Sequence, residues 1–97
     1  MRADLARLAG RWSEATRGWL NAAEARLAMG SSPEDPAVRD AVDRAHRCWH
    51  RTTEDPRVYL DLGQVLAEVR RQVPGPPGAR ANICARLAAV PVSVTGR

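Results

Sequence analysis

The chain has 97 residues, a formal net charge of +4, and 44% hydrophobic residues. This length allows one domain at most, since domains span about 50 to 250 residues. No apolar run approaches the roughly 20 residues of a membrane-spanning helix, which excludes an integral membrane protein. The N-terminal segment begins an amphipathic pattern without the apolar core of a secretory signal, so we expect a cytoplasmic protein.

The positive charge is unevenly distributed. Every residue in the Lys-plus-Arg count is arginine, a bias that GC-rich codons produce, so net charge alone is weak evidence for phosphate binding. Residues 1–68 hold ten arginines and all eleven acidic residues, a balance of −1. Residues 69–97 hold five arginines and no acid, a balance of +5. The pattern predicts a nearly neutral body with a basic C-terminal segment.

The first third of the chain carries apolar residues at alternating spacings of three and four, which is typical of one helix face. They are Leu5, Leu8, Trp12, Ala15, Trp19, Ala22 and Met29. We predict a helix over about residues 3–29, ending at Gly30 as its C′ residue. Two shorter helices cannot fully cover a helix of that length, so part of this stripe is expected to contact another chain.

The next two helices are predicted from repeated capping chemistry. In Asp35-Pro36 and Asp55-Pro56 the aspartate can cap the helix and the proline suits its first position. We predict helices over about residues 36–51 and 56–73. The residues predicted to face inward are Val38, Ala41, Val42, Ala45, Cys48 and Trp49 in the first, and Val58, Tyr59, Leu62, Val65, Leu66, Val69 and Val73 in the second.

A Pro/Gly-rich linker at residues 74–78 then stops the helical pattern. A short fourth helix is predicted at about residues 79–89, with Ile83, Leu87 and Cys84 toward one face. The sequence thus predicts an all-α protein, a small antiparallel bundle of three main helices plus this fourth one. Within a single domain overall, residues 1–73 form the bundle and residues 79–97 a basic C-terminal helix and tail, which ends in either an edge strand or an unstructured segment.

The chemistry-bearing residues do not form a recognisable catalytic set. His46 and His50 share a helix face and, with Cys84, are weak candidates for a metal site, whereas a structural zinc takes about four ligands. The alternative is two surface histidines beside a buried cysteine and tryptophan. Cys48 lies on a different face from both histidines, which argues against a Cys–His nucleophile. We therefore predict no catalytic residue, no cofactor and no enzymatic activity.

Two surfaces are candidates for binding. The first is a protein interface, or a surface for self-association, formed by Leu8, Trp12, Trp19 and Met29. The second is a contact with phosphates or with an acidic partner through Arg70, Arg71, Arg80 and Arg86. No stacking aromatic follows Tyr59, which weakens the case for single-strand binding.

These observations predict a non-enzymatic helical protein-interaction module. It would act as a small accessory subunit, an adaptor or an inhibitor within a larger assembly. The alternative is a nucleic-acid-associated accessory protein that contacts phosphates through its C-terminal arginines. The two differ in salt dependence, because phosphate contacts weaken steeply as salt is raised.

Overall fold

The computed structural model describes residues 11–52 and 55–90 of the chain. Within those residues it contains four helices and no strand: α1 (Trp12–Ala28), α2 (Pro36–His50), α3 (Pro56–Gln72) and α4 (Ala79–Ala89). The predicted all-α bundle is confirmed, and the bounds of α2, α3 and α4 lie within one residue of the prediction. The predicted helical residues before residue 11 and the predicted tail after residue 90 lie outside the described residues.

The helix starts follow the predicted capping chemistry. The Asp35 carboxylate accepts a hydrogen bond from the Ala37 backbone N–H at 2.8 Å. The Asp55 carboxylate does the same for the Arg57 N–H at 2.9 Å. In both cases proline follows the aspartate and occupies the first turn, where no backbone donor is needed.

The end of α1 is formed around Gly30, whose φ of +98° suits a residue without a side chain. Its N–H donates to the Leu27 carbonyl, and the Ser31 N–H donates to the Arg26 carbonyl. These two bonds form a Schellman motif, which satisfies carbonyls that the helix end would otherwise leave unpaired. The predicted C′ glycine is confirmed.

The core lies where α1, α2 and α3 meet, and α4 closes one side of α3. α1 runs antiparallel to α2, because Trp12 contacts Arg51 and Trp19 contacts Arg44. One continuous cluster of buried side chains includes residues from all four helices: Leu20, Ala23, Val38, Ala41, Val42, Ala45, Trp49, Leu62, Leu66, Val69, Val73 and Ile83. None of the helices in the described part of the chain is long and apolar enough to cross a membrane.

Trp49 is the largest fully buried side chain of this core. Its indole N–H donates to the Tyr59 backbone carbonyl at 2.8 Å, and its ring stacks on the Tyr59 ring with centroids 4.5 Å apart. Gly63 of α3 also lies against the Trp49 ring: a Cβ built at residue 63 would lie 2.6 Å from Trp49 Cζ2 and 2.7 Å from Leu87 Cδ2. Gly63 thus permits Trp49 and α4 to approach α3 closely.

We expect Gly63→Ala to lower the free energy of unfolding by about 1–3 kcal/mol, because the added methyl group overpacks the site. Urea unfolding followed by circular dichroism measures this loss. Gly18→Ala is the matched control, since nothing lies within 4 Å of a Cβ at that helical position. It should stabilise the protein by about 0.5–1 kcal/mol through helix propensity. Equal effects of the two substitutions would contradict the close packing at Gly63.

Two residues predicted to face inward are exposed. Val65 is 41% exposed, because it lies at the edge of the apolar stripe of α3 and the packing covers the opposite edge. Cys84 is exposed on α4, where Ile83 supplies the buried contact. Neither Cys48 nor Cys84 forms a disulfide bond.

Candidate functional site

Five polar side chains from three helices form one connected group, which we call the polar network: Asp43, His46, His50, Arg70 and Asn82. α2 contributes the first three at spacings of three and four, so they lie on one helix face. Arg70 reaches them from α3 and Asn82 from α4. The group borders a pocket of about 370 Å³ whose other wall is formed by Pro76, Pro77, Gly78 and Ala79.

Arg70 is the buried charge of the polar network, with 2% of its surface exposed. Its Nη2 lies 2.9 Å from Asp43 Oδ1 and 3.1 Å from His46 Nδ1. Its Nη1 donates to the Val73 carbonyl at 3.3 Å. Gly75, with a φ of +67°, lies directly against the guanidinium, which occupies the space a Cβ would need. Arg70 therefore fixes the start of the linker to α2 and α3.

The hydrogen-bond pattern determines the state of His46. A guanidinium has donors and no acceptor, so His46 Nδ1 accepts from Arg70 and the proton of the neutral ring is on Nε2. That Nε2 donates to Asn82 Oδ1 at 3.2 Å. His50 Nε2 donates to the same oxygen at 2.9 Å. One amide oxygen on α4 thus accepts from both histidines of α2.

The pKa values of both histidines lie below the ordinary value. Burial lowers the pKa of His46 below its ordinary value of 6.5, the hydrogen bond that His46 donates to Asn82 opposes this by raising it, and the Arg70 charge adds to the lowering. Burial likewise lowers the pKa of His50, with a contribution from Arg86. The network therefore contains one ion pair, between Arg70 and Asp43, beside two imidazoles that donate to Asn82.

We expect the free energy of unfolding to fall as the pH drops below about 6.5. In the unfolded chain both histidines take up protons near that pH, whereas in the folded chain their lowered pKa values keep them neutral. The unfolded state thus binds more protons, and stability is lost until the pH passes the folded pKa values. Above pH 6.5 both states are neutral, and the histidines cause no pH dependence.

Urea unfolding at a series of pH values between about 7.5 and 5 tests this expectation, since aspartate and glutamate titrate mostly below that range. The comparison is a double variant, His46→Gln with His50→Gln, whose stability should change less over the same range. An equally steep loss in the double variant would assign the pH dependence to other groups.

A second group of residues lies on another side of α2 and is called the arginine–tryptophan face: Trp12, Trp19, Arg44, Arg47 and Arg51. The Arg51 guanidinium carbon lies 5.2 Å from the Trp12 ring centroid, and that of Arg44 lies 5.1 Å from the Trp19 centroid. Both distances are those of cation–π contacts. Beneath them, Ala15 and Cys48 are buried against the two tryptophans.

The predicted interface residues are placed as follows. Trp12 and Trp19 are half-buried, each beside an arginine, and Met29 is 87% exposed just after α1. Leu8 lies outside the described residues. The tryptophan stripe is thus partly covered by the arginines of α2.

The predicted C-terminal arginines do not form one surface. Arg70 is buried and bound to Asp43, so it is not available to a phosphate. Arg71 is exposed, and its Nη1 lies 3.7 Å from Glu68 Oε1. Arg80 Nε donates to the Ala67 carbonyl at 3.3 Å. Arg86 is exposed and borders a separate pocket with His50 and Asp55.

The predicted metal candidates are only partly brought together. The rings of His46 and His50 lie 4.7 Å apart, but their Nε2 atoms both donate to Asn82. Cys84 is exposed on the surface of α4. Within residues 11–52 and 55–90 no three His, Cys, Asp or Glu side chains are grouped so that they could hold a metal ion.

Comparison of the chain with protein-family models, with curated proteins and with solved structures found no match. The polar network pairs most of its donors and acceptors internally, whereas the arginine–tryptophan face presents charged and aromatic groups at the surface.

Proposed function

We propose that the protein is a non-enzymatic helical interaction module that acts as a small subunit, adaptor or inhibitor of a larger assembly. It binds a partner protein through the arginine–tryptophan face of α1 and α2. The observation that supports this proposal is the pairing of two half-buried tryptophans with arginines at the surface.

Tryptophan and arginine are the residue types that most often dominate binding energy at protein interfaces. Here Trp12 and Trp19 are ordered by contacts with Arg51 and Arg44, which reduces the side-chain entropy lost on binding. Four of the five residues of the face lie on the antiparallel helices α1 and α2, and Arg51 is the C-cap residue of α2. A rigid, partly preformed patch of this kind suits recognition.

The polar network supports a structural role rather than a catalytic one. Hydrogen bonds join Asp43, Arg70, His46 and Asn82 in one chain, and His50 adds a second bond to the same amide. A general base needs a free lone pair directed toward a substrate proton. The lone pair of His46 Nδ1 accepts a hydrogen bond from Arg70, so it is not available to a substrate proton. The ring instead links α2 to Arg70 of α3 and to Asn82 of α4.

The arginines at the C-terminal end do not support a second proposal. Arg70 is withdrawn into the bundle, and Arg80 is bound to a backbone carbonyl. The remaining described arginines of that segment, Arg71 and Arg86, are attached to different helices. Phosphate contacts along a nucleic acid need several cations that follow its backbone.

Charge reversal on the face tests the proposal. The face variant carries both Arg47→Glu and Arg51→Glu. The control variant carries both Arg39→Glu and Arg57→Glu, at exposed positions outside the face, so that the net charge changes equally in the two variants. Proteins that bind to an affinity-tagged form of the chain are identified. The complex is then rebuilt from purified components, and light scattering measures its stoichiometry. Self-association is measured in the same way.

We expect a complex of defined stoichiometry that forms with the wild type and the control but is at least about tenfold weaker with the face variant, a difference of about 1.4 kcal/mol. Circular dichroism must show equal helicity in all three proteins. A chain that remains a monomer and retains no protein would overturn the proposal. So would a complex that the face variant forms as well as the control does.

A further inference from the structure

A pocket of about 340 Å³ opens within the arginine–tryptophan face, between the start of α1 and the end of α2. Its walls are Trp12, Arg44, Arg47, Cys48 and Arg51. Three of these five residues carry a guanidinium group and none carries a carboxylate. The spacing of three and four along α2 directs all three arginines toward the same side of the helix.

Among the described residues, one carboxylate outside the pocket wall pairs with a pocket arginine. Arg44 Nε lies 2.8 Å from Asp40 Oδ2, one helical turn earlier in α2. Arg47 and Arg51 form no ion pair with any residue in the described ranges 11–52 and 55–90. Three guanidinium groups and one carboxylate leave two positive charges at the pocket. That excess matches a phosphate dianion or a pair of carboxylates.

The cation–π contacts leave the arginine donors available. The guanidinium carbon of Arg51 lies 5.2 Å from the centroid of the Trp12 ring, and that of Arg44 lies 5.1 Å from the centroid of the Trp19 ring. Each cation is thus placed against an aromatic ring. The N–H donors of a guanidinium lie in its plane, so an arginine beside an aromatic ring can still bind an oxyanion with its edge. Contacts that order the side chain beforehand also lower the entropic cost of binding.

We propose that this pocket binds an oxyanion on an acidic segment of a partner protein, either a phosphorylated side chain or two neighbouring carboxylates. Arginine clusters recognise phosphorylated and acidic peptide motifs through bidentate, charge-assisted hydrogen bonds. This inference rests on the proposed function, because it names the chemistry of the partner that the same face would contact.

The geometry favours a peptide over a nucleic acid. Single-stranded nucleic acids bind through bases stacked on open aromatic rings. The rings of Trp12 and Trp19 are half-buried, and each is contacted by an arginine. The positive groups also converge on one local pocket instead of forming a track along which a phosphate backbone could run.

Nuclear magnetic resonance of the full ¹⁵N-labelled chain tests the site directly. The indole N–H signal of Trp12 and the guanidine Nε–H signals of the pocket arginines are followed during titration. The probes are inorganic phosphate, a phosphoserine peptide, the same peptide with Asp-Glu at that position, the unmodified serine peptide, and a single-stranded oligonucleotide. The relative affinities of the phosphoserine and Asp-Glu peptides identify which oxyanion the pocket prefers.

We expect saturable shifts of the pocket signals, with the phosphoserine or Asp-Glu peptide binding at least about tenfold more tightly than the serine peptide. Arg47→Gln and Arg51→Gln should each weaken that binding by about tenfold, as the loss of one charge-assisted contact predicts. Arg51→Lys should also weaken it, because lysine keeps the charge but loses the planar, bidentate geometry. Arg57→Gln, on α3 and outside the pocket, is the control and should bind as the wild type does.

Absence of saturable shifts with all anionic probes would overturn the inference. Equal loss of binding in Arg57→Gln would do the same, as would an oligonucleotide that binds more tightly than either acidic peptide. The two proposals fail differently. If the rebuilt complex depends on the face while no acidic probe binds the pocket, the interaction module stands and the oxyanion site does not. If the acidic probes bind the pocket but the face variant still forms the complex, the oxyanion site stands and the proposed protein interface does not.

Discussion

Trp49→Ala is expected to lower the free energy of unfolding by about 3–5 kcal/mol, the range for truncating a fully buried aromatic residue. The substitution removes the stack on Tyr59 and leaves the Tyr59 carbonyl without its indole donor. A domain of this size has about 5–15 kcal/mol of stability in total, so much of it would be lost. Urea unfolding monitored by circular dichroism measures the change.

Trp12→Ala is the matched comparison for Trp49→Ala. Trp12 is half-buried at the surface, so its truncation removes less apolar area and should cost about 1–2 kcal/mol. The variant should keep its helicity but lose partner binding if the arginine–tryptophan face is the interface. Equal destabilisation by the two substitutions would show that Trp12 belongs to the core, which contradicts its proposed role in binding.

Asp43→Ala is expected to cost about 3 kcal/mol, because it leaves the buried Arg70 guanidinium without its counterion. The bonds that remain to Arg70 are those to the Val73 carbonyl and to His46 Nδ1. Its Nε already has no hydrogen-bond partner among the described residues. Neither remaining acceptor carries the negative charge that makes burial of a cation tolerable.

Arg70→Met provides the contrast. Methionine fills most of the same volume without a charge, and the carboxylate left behind is on a side chain that is 36% exposed and can be hydrated. We therefore expect a smaller loss than for Asp43→Ala, because replacing a buried ionic group by an apolar one is often nearly neutral. Denaturant unfolding at neutral pH compares the two variants. The opposite order of losses would mean that Arg70 stabilises the fold mainly by packing and by holding the linker.

The helices of this protein were predictable because their signals are local. Asp35 and Asp55 cap helices two residues away, and Gly30 ends α1 through bonds to residues within the preceding turn. Each device depends on neighbouring residues in the chain. The inward face of α2 was likewise predicted, since its apolar residues repeat at helical spacing.

The burial pattern at the edges of α3 was not predictable in the same way. With about 100° per residue, Val65 and Arg70 lie at opposite edges of the stripe formed by Leu62, Leu66 and Val69. Hydrophobicity favours burial of Val65, and arginine is usually exposed. The packing covers the arginine side instead, because Asp43 of α2 and the linker supply partners there.

The candidate site could be predicted only in part. The common face of His46 and His50 follows from their spacing, but their shared acceptor, Asn82, is more than thirty residues away in the chain. Such a contact depends on how α4 packs, which no local pattern specifies. The spacing of Arg44, Arg47 and Arg51 was a usable signal, but the excess of positive charge after residue 69 drew the prediction toward the C-terminal arginines.

The attachment of α4 has a consequence for the dynamics of the molecule. Its one fully buried side chain is Ile83, Leu87 and the bond from Arg80 to the Ala67 carbonyl add contacts with α3, and the Asn82 amide joins it to α2. A short terminal helix with one fully buried side chain opens as a separate cooperative unit at a lower free energy than the bundle does. We expect the backbone amides of α4 to exchange with solvent before those of α2 and α3. Protonation of either histidine keeps the bond from its Nε2–H to Asn82, whereas a proton on His46 Nδ1 would face the Arg70 donor, so acid would first loosen the contact between α2 and Arg70 of α3.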